Sequence, residues 1–384
     1  MKILITGGSV HGKLDAVKII TNKFKGGTHR CSRLLRLVHS GSVMAGMAEE
    51  FSWEKDNVTY VCSKSSTQPI EEGDEEDWLI DTVHHDGLYD YREKVNKLAK
   101  DFDCVILGGA VANLIPLNPL EGKFPSHDYK VGDVIPIDFT IAPRIVDEVK
   151  SNMKKNAHLF AFKLLSGATH EELIRAAYEI LLESGATAVF ANDATELGII
   201  HAVTKERGVH TMKRGALFYW IKDILKDEYY RTEVEKGTVD QTYWLLLQEL
   251  AERYRLNFKE VENGMVFGTI AQKISGDSFV TTGRGKRELD EIAYVEAVDH
   301  DNRIVRSRGS KATLNAPLLD YIFKNSEADA IVHYHQQVDG LPTLPYAPPG
   351  TVRDSQRKVA TSFNVEEHGT FLLFKKVKKG YQQI

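Results

Sequence analysis

The sequence is poor in cysteine and has no excess of positive charge. Its 384 residues include 3 cysteines and carry a formal net charge of −5 at pH 7. Sparse cysteines outside CxxC pairs are typical of reduced thiols in the cytosol rather than of a disulfide framework. Domains that bind nucleic acid usually show a strong basic excess. We therefore expect a cytoplasmic protein that has no nucleic-acid partner.

Long apolar segments are also missing. No run approaches the roughly 20 apolar residues that a membrane-spanning helix needs. The opening residues MKILITGG contain no apolar core before a cleavage site, so they predict no signal peptide. We expect no membrane partner, and at roughly 100–200 residues per domain the length predicts two domains.

The first half alternates between strand and helix patterns. The apolar stretch KILIT is followed by Gly7 and Gly8, which predicts a buried strand ending in a tight turn. Helical stretches separate the further predicted strands, which are residues 58–63, 103–109, 158–165, 187–193 and 199–204. The clearest helix, residues 169–183, begins with the capping-box pair Thr169 and Glu172, and Gly185 ends it. This alternation predicts a doubly wound, Rossmann-like parallel sheet.

The pattern changes near residues 230–238. A charged helical stretch is predicted over 221–237 and an amphipathic helix over 241–256. Short strands with polar turns follow, then a helix over 316–326 and a strand over 329–335. We therefore predict an N-terminal domain over residues 1–232 and a C-terminal α/β domain over residues 233–384, the latter built on a mainly antiparallel sheet.

Six short motifs of the first domain occur in an order that resembles the phosphopantothenate–cysteine ligase family. They are GGS (7–9), DAVKIITN (15–22), GGAVAN (108–113), GKFPS (122–126), FAFKLL (160–165) and FAND (190–193). The resemblance covers about residues 1–225. It implies a ligase of coenzyme A biosynthesis that activates a carboxylate with CTP or ATP and Mg²⁺, and then joins the acyl group to an amine. It also implies a homo-oligomer.

The resemblance implies roles for particular residues. Asn22 would hydrogen-bond the acyl-nucleotide and Lys123 would neutralise phosphate, which makes these two the catalytic residues. The residues of the nucleotide site would be Gly7, Gly8, Ser9, Ala110, Asn113, Phe162, Lys163, Asn192 and Asp193. Glycine turns at strand ends let backbone amides approach phosphate. Taken singly, Asn22 also fits a helix cap and Lys163 a surface lysine.

Two departures from that family concern the substrates. Asn113 stands where the family usually has Asp, and residues 23–40 replace a compact turn with a segment containing five Lys and Arg residues. The segment falls where the acid substrate should bind. It therefore suits an acid more anionic than pantothenate, or it is a solvated loop. The sequence leaves the acid, the amine and the choice between CTP and ATP open.

Three histidines of the second domain have the spacing of a metal site. His333 and His335 alternate on a predicted strand, so both imidazoles point to one face. His368 directly precedes Gly369 at the start of another strand. Three imidazoles with an open fourth position are typical of a catalytic zinc site.

The surroundings of these histidines resemble class II aldolases and adducin head domains. The matching segments are residues 268–286, 330–335, 344–351 and 366–373, and the resemblance covers about residues 238–375. It implies a divalent metal, zinc in the first instance, on His333, His335 and His368. It also places Thr313 at the position of the family's general base, and threonine cannot take that role near neutral pH. A phosphate site would comprise Thr282, Gly283, Ser310 and Lys311.

Three functions follow from these patterns. The first is a nucleotide-dependent acid–amine ligase that carries a class II aldolase-like domain with little aldolase activity. The second is a metal-dependent lyase, epimerase or hydrolase acting on a phosphorylated or nucleotidyl metabolite. In the third, the second domain is a non-catalytic, adducin-like assembly module. Metal content and nucleotide turnover distinguish the three.

Overall fold

The computed structural model describes residues 1–21, 42–70, 80–205, 208–258, 260–261, 264–378 and 380–384. The chain forms two compact units, Met1–Val203 with Thr211–Trp220, and Thr204–His210 with Ile221–Ile384. Within the described residues, no helix is long and apolar enough to cross a membrane. The domain division at residues 232/233 stays a prediction.

An eight-stranded sheet with flanking helices forms the first unit. The strands of this half are β1 (Lys2–Thr6), β2 (Ser9–Val10), β3 (Gly12–Lys13), β4 (Ile19–Ile20), β5 (Asn57–Ser63), β6 (Ile80–His85), β7 (Cys104–Leu107), β8 (Ala110–Val111), β9 (Leu114–Pro116), β10 (Phe139–Ile141), β11 (His158–Leu165), β12 (Ala188–Asp193), β13 (Ile199–Val203) and β14 (Val209–Lys213). Its helices are α1 (Val43–Trp53), α2 (Leu88–Leu98), α3 (Ile145–Asn152) and α4 (His170–Ser184), and α5 (Leu217–Lys226) begins in this unit and continues into the second.

The strand order of the large sheet is β14-β13-β12-β11-β7-β1-β5-β6. The six strands from β6 to β12 are parallel, and β13 is antiparallel to β12. The chain builds outward from β1 through β5 and β6, then returns to β7 and builds the other way through β11 and β12. This order confirms the predicted doubly wound, Rossmann-like sheet. It also sets a topological switch point between β1 and β7, where such sheets bind ligands.

Helix α4 shows why local signals were sufficient in this half. The Thr169 hydroxyl accepts a hydrogen bond from the Glu172 amide at 3.3 Å, and the Glu172 carboxylate accepts one from the Thr169 amide at 2.9 Å. Gly185 ends the helix in the left-handed conformation with φ 65°. The predicted capping box and stop signal are both confirmed.

A second large sheet forms the other unit. Its strands and those near it are β15 (Arg231–Glu235), β16 (Glu260–Val261), β17 (Met265–Val266), β18 (Thr269–Ser275), β19 (Ser278–Thr282), β20 (Ile292–Asp299), β21 (Ile304–Gly309), β22 (Ala330–Tyr334), β23 (Thr343–Leu344), β24 (Phe363–Val365), β25 (Gly369–Val377) and β26 (Gly380–Gln383), and the helices are α6 (Trp244–Arg253), α7 (Ala316–Asn325) and α8 (Val352–Ser355). The order is β15-β21-β20-β19-β18-β22-β25-β24-β23, with β26 paired to β25.

Most neighbours in this sheet are antiparallel, as expected, and only the outer pairs β15–β21 and β23–β24 are parallel. One face packs Ile331 against Leu319 and Ile322 of α7. The other face packs Val332 against α6. The helix predicted over residues 221–237 is wrong beyond Lys226, because residues 231–235 form β15 and pair with β21 along their length.

Candidate functional site

A cavity of ≈ 900 Å³ lies at the carboxyl edge of the first unit's parallel strands. Its wall includes Gly8 after β1, Gly108 after β7, Phe162 on β11 and Asn192 on β12. The first residues of α1 and α3 and one face of α4 complete the wall. The cavity therefore spans the switch point, and its size suits a small-molecule ligand or cofactor.

Glycines at the switch point are required because other groups come very close. A Cβ atom added to Gly7 would lie 2.0 Å from the Tyr60 hydroxyl, and one added to Gly108 would lie 2.1 Å from the Met44 sulfur. Gly8 has φ 72°, and its added Cβ would lie 1.9 Å from the Ser66 hydroxyl. These glycines therefore allow close packing around the turn.

The amides of the two turns are largely engaged within the protein. Gly7 donates to the Val61 carbonyl at 3.0 Å, and Gly108 donates to the Thr6 carbonyl at 3.1 Å. The Gly109 amide donates to the Thr6 hydroxyl at 3.1 Å, and Ala110 donates to the Gly8 carbonyl at 2.8 Å. These four amides hold the turns together, so phosphate contacts in the cavity depend mainly on other groups.

Tyr91 completes this network from α2. Its hydroxyl donates to the Thr6 hydroxyl at 2.9 Å, and its ring forms part of the cavity wall. Burial raises the pKa of Tyr91 to about 12, so the hydroxyl keeps its proton near neutral pH. Thr6 thereby links α2 to the turn after β7.

The structure brings most of the predicted nucleotide residues together. The cavity is lined by Gly8, Ala110, Asn113, Phe162, Lys163 and Asn192. Gly7 and Ser9 flank Gly8 in the same turn. Asn22 and the basic segment 23–40 lie outside the described residues, so the role of Asn22 stays a prediction.

Asp193 lies at the end of β12 but does not line the cavity. Its carboxylate accepts hydrogen bonds from the Thr195 hydroxyl at 2.5 Å, from the Thr195 amide at 2.7 Å and from the Ala168 amide at 2.9 Å. These bonds, with the Thr195 hydroxyl first, hold the pKa of Asp193 well below its usual range. The carboxylate joins the turn after β12 to the loop before α4, and a nucleotide contact for it stays a prediction.

Lys123 is exposed and lies next to a turn anchored by Asp15. The buried Asp15 carboxylate accepts hydrogen bonds from the Phe124 amide at 3.0 Å and from the amides of Val17 and Lys18. Burial opposes ionisation of Asp15, but these hydrogen bonds outweigh it and hold its pKa well below the usual range. Asp15 thereby fixes the Lys123 loop beside β4, the strand that leads toward Asn22.

Sequence reasoning missed two features of the cavity. Arg214, which follows β14, lines the wall, and burial lowers the pKa of its guanidinium. Helix α1 presents its N-terminus there through Ser42, Val43 and Met44. The first amides of a helix lack intrahelical acceptors and favour anions. No sequence motif marked either feature, since both reach the cavity through the fold.

The second unit brings His333, His335 and His368 together. One ring nitrogen from each can be chosen so that all three lie within 4.8 Å of one another. The His333 Nδ1 donates to the Thr370 carbonyl at 3.0 Å, which leaves Nε2 as its ligand atom. Burial lowers the pKa of His333 to about 4, and burial followed by the other two histidines lowers that of His368. The rings of His333 and His368 are therefore neutral near pH 7, as metal ligands require.

The donor set fits a divalent transition metal. The Nε2 of His333 and both ring nitrogens of His368 are buried and have no hydrogen-bond partner in the described part of the chain. Buried polar atoms normally have partners, so these nitrogens are consistent with ligand atoms of a metal ion. The prediction of a three-histidine centre agrees with this geometry, while the metal itself is untested.

The residues predicted around the metal also come together. The Thr313 hydroxyl lies 3.0 Å from the Thr269 hydroxyl, and Thr269 is the cross-strand partner of His333. At the predicted phosphate site, a Cβ on Gly283 would lie 2.7 Å from the Ser310 Cβ. The Thr282 hydroxyl accepts from the Ile270 amide at 3.2 Å, and the neighbouring Arg284 lowers the pKa of the exposed Lys311. A phosphate role for these residues stays a prediction.

Fold and cavity define the first unit as a doubly wound α/β domain with a ligand-sized cavity at its switch point. The family described as DNA/pantothenate metabolism flavoprotein C-terminal domain matches residues 1–218 of the chain. The chain therefore belongs to that family.

Among curated proteins, the coenzyme A biosynthesis bifunctional protein CoaBC of Thermococcus kodakarensis is 27% identical over 197 residues. The alignment covers 51% of this chain and 42% of the relative, so the chain spans less than half of that protein's length.

Two solved structures are similar to portions of the chain. A DNA/pantothenate metabolism flavoprotein from Streptococcus pneumoniae has a TM-score of 0.47 and 18% identity, covering 59% of this chain and 98% of that one. The putative aldolase/epimerase/decarboxylase YgbL from Escherichia coli has a TM-score of 0.27 and 15% identity, covering 34% of this chain and 77% of that one.

Proposed function

We propose that the first unit is a nucleotide-dependent ligase of the phosphopantothenate–cysteine ligase type. The observation that carries this proposal is the family match over residues 1–218 together with a switch-point cavity lined by six of the predicted nucleotide residues. The cavity also holds the N-terminus of α1, Lys163 and Arg214, which suit a triphosphate with Mg²⁺.

The reaction has two displacements. A carboxylate oxygen of the acid attacks the α-phosphorus of the nucleotide, and pyrophosphate leaves. The amine nitrogen then attacks the acyl carbon, the acyl–oxygen bond breaks, and the nucleoside monophosphate departs as the amine proton is lost to solvent or base. Lys123 and Arg214 would offset charge in the first step, and Asn22 would hold the acyl-nucleotide for the second. CTP is the favoured nucleotide.

Removing the Lys123 charge tests the phosphate role. Lys123→Ala should weaken binding of CTP more than binding of cytidine, because only the triphosphate gains from the cation. Isothermal titration with both ligands measures the difference, and Lys155→Ala, another exposed lysine, serves as the matched control. Equal loss for both ligands would mean that Lys123 does not contact phosphate.

The Asn22→Asp change separates the two displacements. It should block amide formation while leaving acid-dependent exchange of labelled pyrophosphate into CTP measurable. Loss of exchange in a folded variant, judged by circular dichroism, would place Asn22 in the first step instead.

The second unit carries a separate proposal, a divalent metal centre on His333, His335 and His368. A metal there would polarise a carbonyl oxygen and stabilise an enediolate. Since Thr313 stands at the base position, aldolase activity should be low. This arrangement supports a lyase, epimerase or hydrolase in which another group moves the proton.

Metal analysis of protein purified without chelator tests this centre. We expect about one zinc per chain, a sharp fall in His335→Ala, and no change in the exposed control His127→Ala. A metal-free wild-type protein would favour the adducin-like assembly role. Rapid cleavage of a sugar phosphate would show that another residue supplies the general base that Thr313 cannot supply.

We also propose a homo-oligomer. From the end of β9 through β10 the chain exposes several large apolar side chains, Leu117, Val131, Val134, Phe139 and Ile141. Apolar surface of this kind is typical of a contact surface. Light scattering coupled to size-exclusion chromatography should give a mass at least twice that of one chain, and a monomer would contradict the proposal.

A further inference from the structure

His335 lies just beyond the paired part of its strand. The pairing of β22 with β25 ends at Tyr334 and Thr370, and His335 is the next residue after Tyr334. His333, by contrast, lies within the ladder, opposite Phe371. Ladder hydrogen bonds therefore fix the backbone of His333 on this side of the strand, whereas contacts outside the ladder hold His335.

Thr370 supplies such a contact from the neighbouring strand. Its side chain is buried, and its hydroxyl lies 2.7 Å from the carbonyl oxygen of Gln336, the residue after His335, and 2.5 Å from the side-chain oxygen of Asn364. The hydroxyl has one proton, so it donates to one of these oxygens at a time. The Thr370 carbonyl accepts a hydrogen bond from Nδ1 of His333 at 3.0 Å. One residue thus contacts both the backbone beside His335 and the ring of His333.

The Asn364 amide is itself held in one orientation. Its side-chain oxygen accepts a hydrogen bond from the Val338 amide at 3.1 Å, and its Nδ2 donates to the Val338 carbonyl at 2.9 Å. Asn364 is also the cross-strand partner of Thr370. A flipped amide would place a donor against the Val338 amide, so the side-chain oxygen is the atom that faces Thr370. The Thr370 and Asn364 side chains therefore hold the segment 336–338, which begins directly after His335.

His368 is connected to the same place through Gly369. Gly369 has φ 141°, and a Cβ added to it would lie 2.8 Å from the Cα of His335. The start of the strand that carries Thr370 therefore passes directly against the backbone of His335. Thr370 is two residues from His368, accepts from the ring of His333 and contacts the residue after His335.

We propose that Thr370 is a positioning residue of the three-histidine centre, and that its hydroxyl, supported by Asn364, holds His335 in place before a metal binds. Ligands that already have their bound geometry need no ordering when the metal arrives, so the free-energy cost of binding is smaller. The Thr370 carbonyl would keep the proton on Nδ1 of His333, which leaves Nε2 for the metal. This inference rests on the proposed metal centre.

The zinc affinity of the full-length protein tests the inference. Thr370→Val keeps the shape of the side chain but removes the hydroxyl, so we expect zinc to bind roughly 10- to 100-fold more weakly in competition with a chromophoric chelator. Thr370→Ser keeps the hydroxyl and should retain most of the affinity. Thr281→Val is the matched control, because Thr281 is also buried in this sheet and its hydroxyl donates to the Thr282 carbonyl at 3.3 Å.

The visible spectrum of the cobalt-substituted protein distinguishes positioning from stability. Loss of a buried hydrogen bond should lower the free energy of unfolding in both valine variants, and urea unfolding of the metal-free proteins measures that loss. Only a displaced ligand changes the geometry around the cobalt. Its absorption bands should therefore shift in Thr370→Val and stay unchanged in Thr281→Val.

The outcomes separate the inference from the metal centre on which it depends. A wild-type protein that binds no zinc overturns the metal centre and this inference with it. Equal zinc affinity in wild type and Thr370→Val, or an equal loss in Thr281→Val, overturns the inference alone. If Thr370→Val does not fold, nitrogen-15 NMR of the zinc-loaded wild type decides. A His333 ring protonated at Nδ1 and bound through Nε2 supports the inference, and a ring bound through Nδ1 overturns it.

Discussion

Gly108 offers a sharp test of how tightly the switch point is packed. A Cβ at this position would lie 2.1 Å from the Met44 sulfur, 2.4 Å from its Cγ and 2.9 Å from the Thr6 carbonyl oxygen. The Met44 side chain is flexible, but the carbonyl belongs to the central strand β1. Overpacking of this kind typically costs about 1–3 kcal/mol. We therefore expect Gly108→Ala to lower the free energy of unfolding by about that amount.

A double-mutant cycle identifies the clash. Met44→Ala alone should destabilise through the cavity it leaves, by about 2–5 kcal/mol for a buried methionine. The double variant should be more stable than the sum of the single effects predicts, because Met44→Ala removes the atoms that the new methyl group meets. Gly122→Ala is the control, since nothing lies within 4 Å of its added Cβ.

Urea unfolding, followed by a probe in the first unit, measures these differences. A Gly108→Ala protein as stable as the Gly122→Ala control would refute the close packing. Strict additivity in the cycle would show that Met44 is not the group displaced. Nucleotide affinity provides a second readout, because Met44 and Gly108 both line the cavity.

Two further predictions concern hydrogen bonds. Thr6→Val leaves the Gly109 amide and the Tyr91 hydroxyl without their partner. It should therefore lower the free energy of unfolding, measured by chemical denaturation, by about 1–3 kcal/mol per unpaired group. Thr6→Ser keeps a hydroxyl at this position, so it should restore most of the loss. The pKa of Asp193 is lowered in the folded state, so its stabilisation is present above the ordinary value of 3.8 and is lost as the pH falls below it. The stability advantage of wild type over Asp193→Ala, measured by urea unfolding at pH 6 and pH 3, should therefore shrink at pH 3; an unchanged difference would contradict the assigned shift.

Elements with strong local signals were predictable from the sequence. Helix α4 carries its own start and stop, and the apolar stretch 158–165 forms β11 over the same residues. Strand β15 was not predictable, because residues 231–235 are charged and become a strand only through pairing with β21, about seventy residues later in the chain. When the pairing strand is not evident from the local sequence, a charged segment favours the prediction of a solvated helix.

The same distinction applies to the sites. His333 and His335 share a face because of strand alternation, so their meeting could be read from spacing. Arg214 has no motif around it, and only the folded chain shows that its guanidinium lies at the cavity. Asp193 lies in a motif, but its carboxylate accepts hydrogen bonds from the local turn, and the nucleotide contact that the motif implies stays a prediction.

The hydrogen-bonded turns at the switch point have a consequence for how the cavity responds to ionic strength. Because Gly7, Gly108, Gly109 and Ala110 donate their amides internally, much of the attraction for phosphate falls to Lys163 and Arg214. Both side chains are only half-buried, and exposed charges are screened over about 8 Å at physiological salt. A phosphate loop of backbone amides holds its ligand by short, directional contacts that salt disturbs little. We therefore expect the affinity of this cavity for a triphosphate to fall as the salt concentration rises, by more than it would for a site made of backbone amides alone.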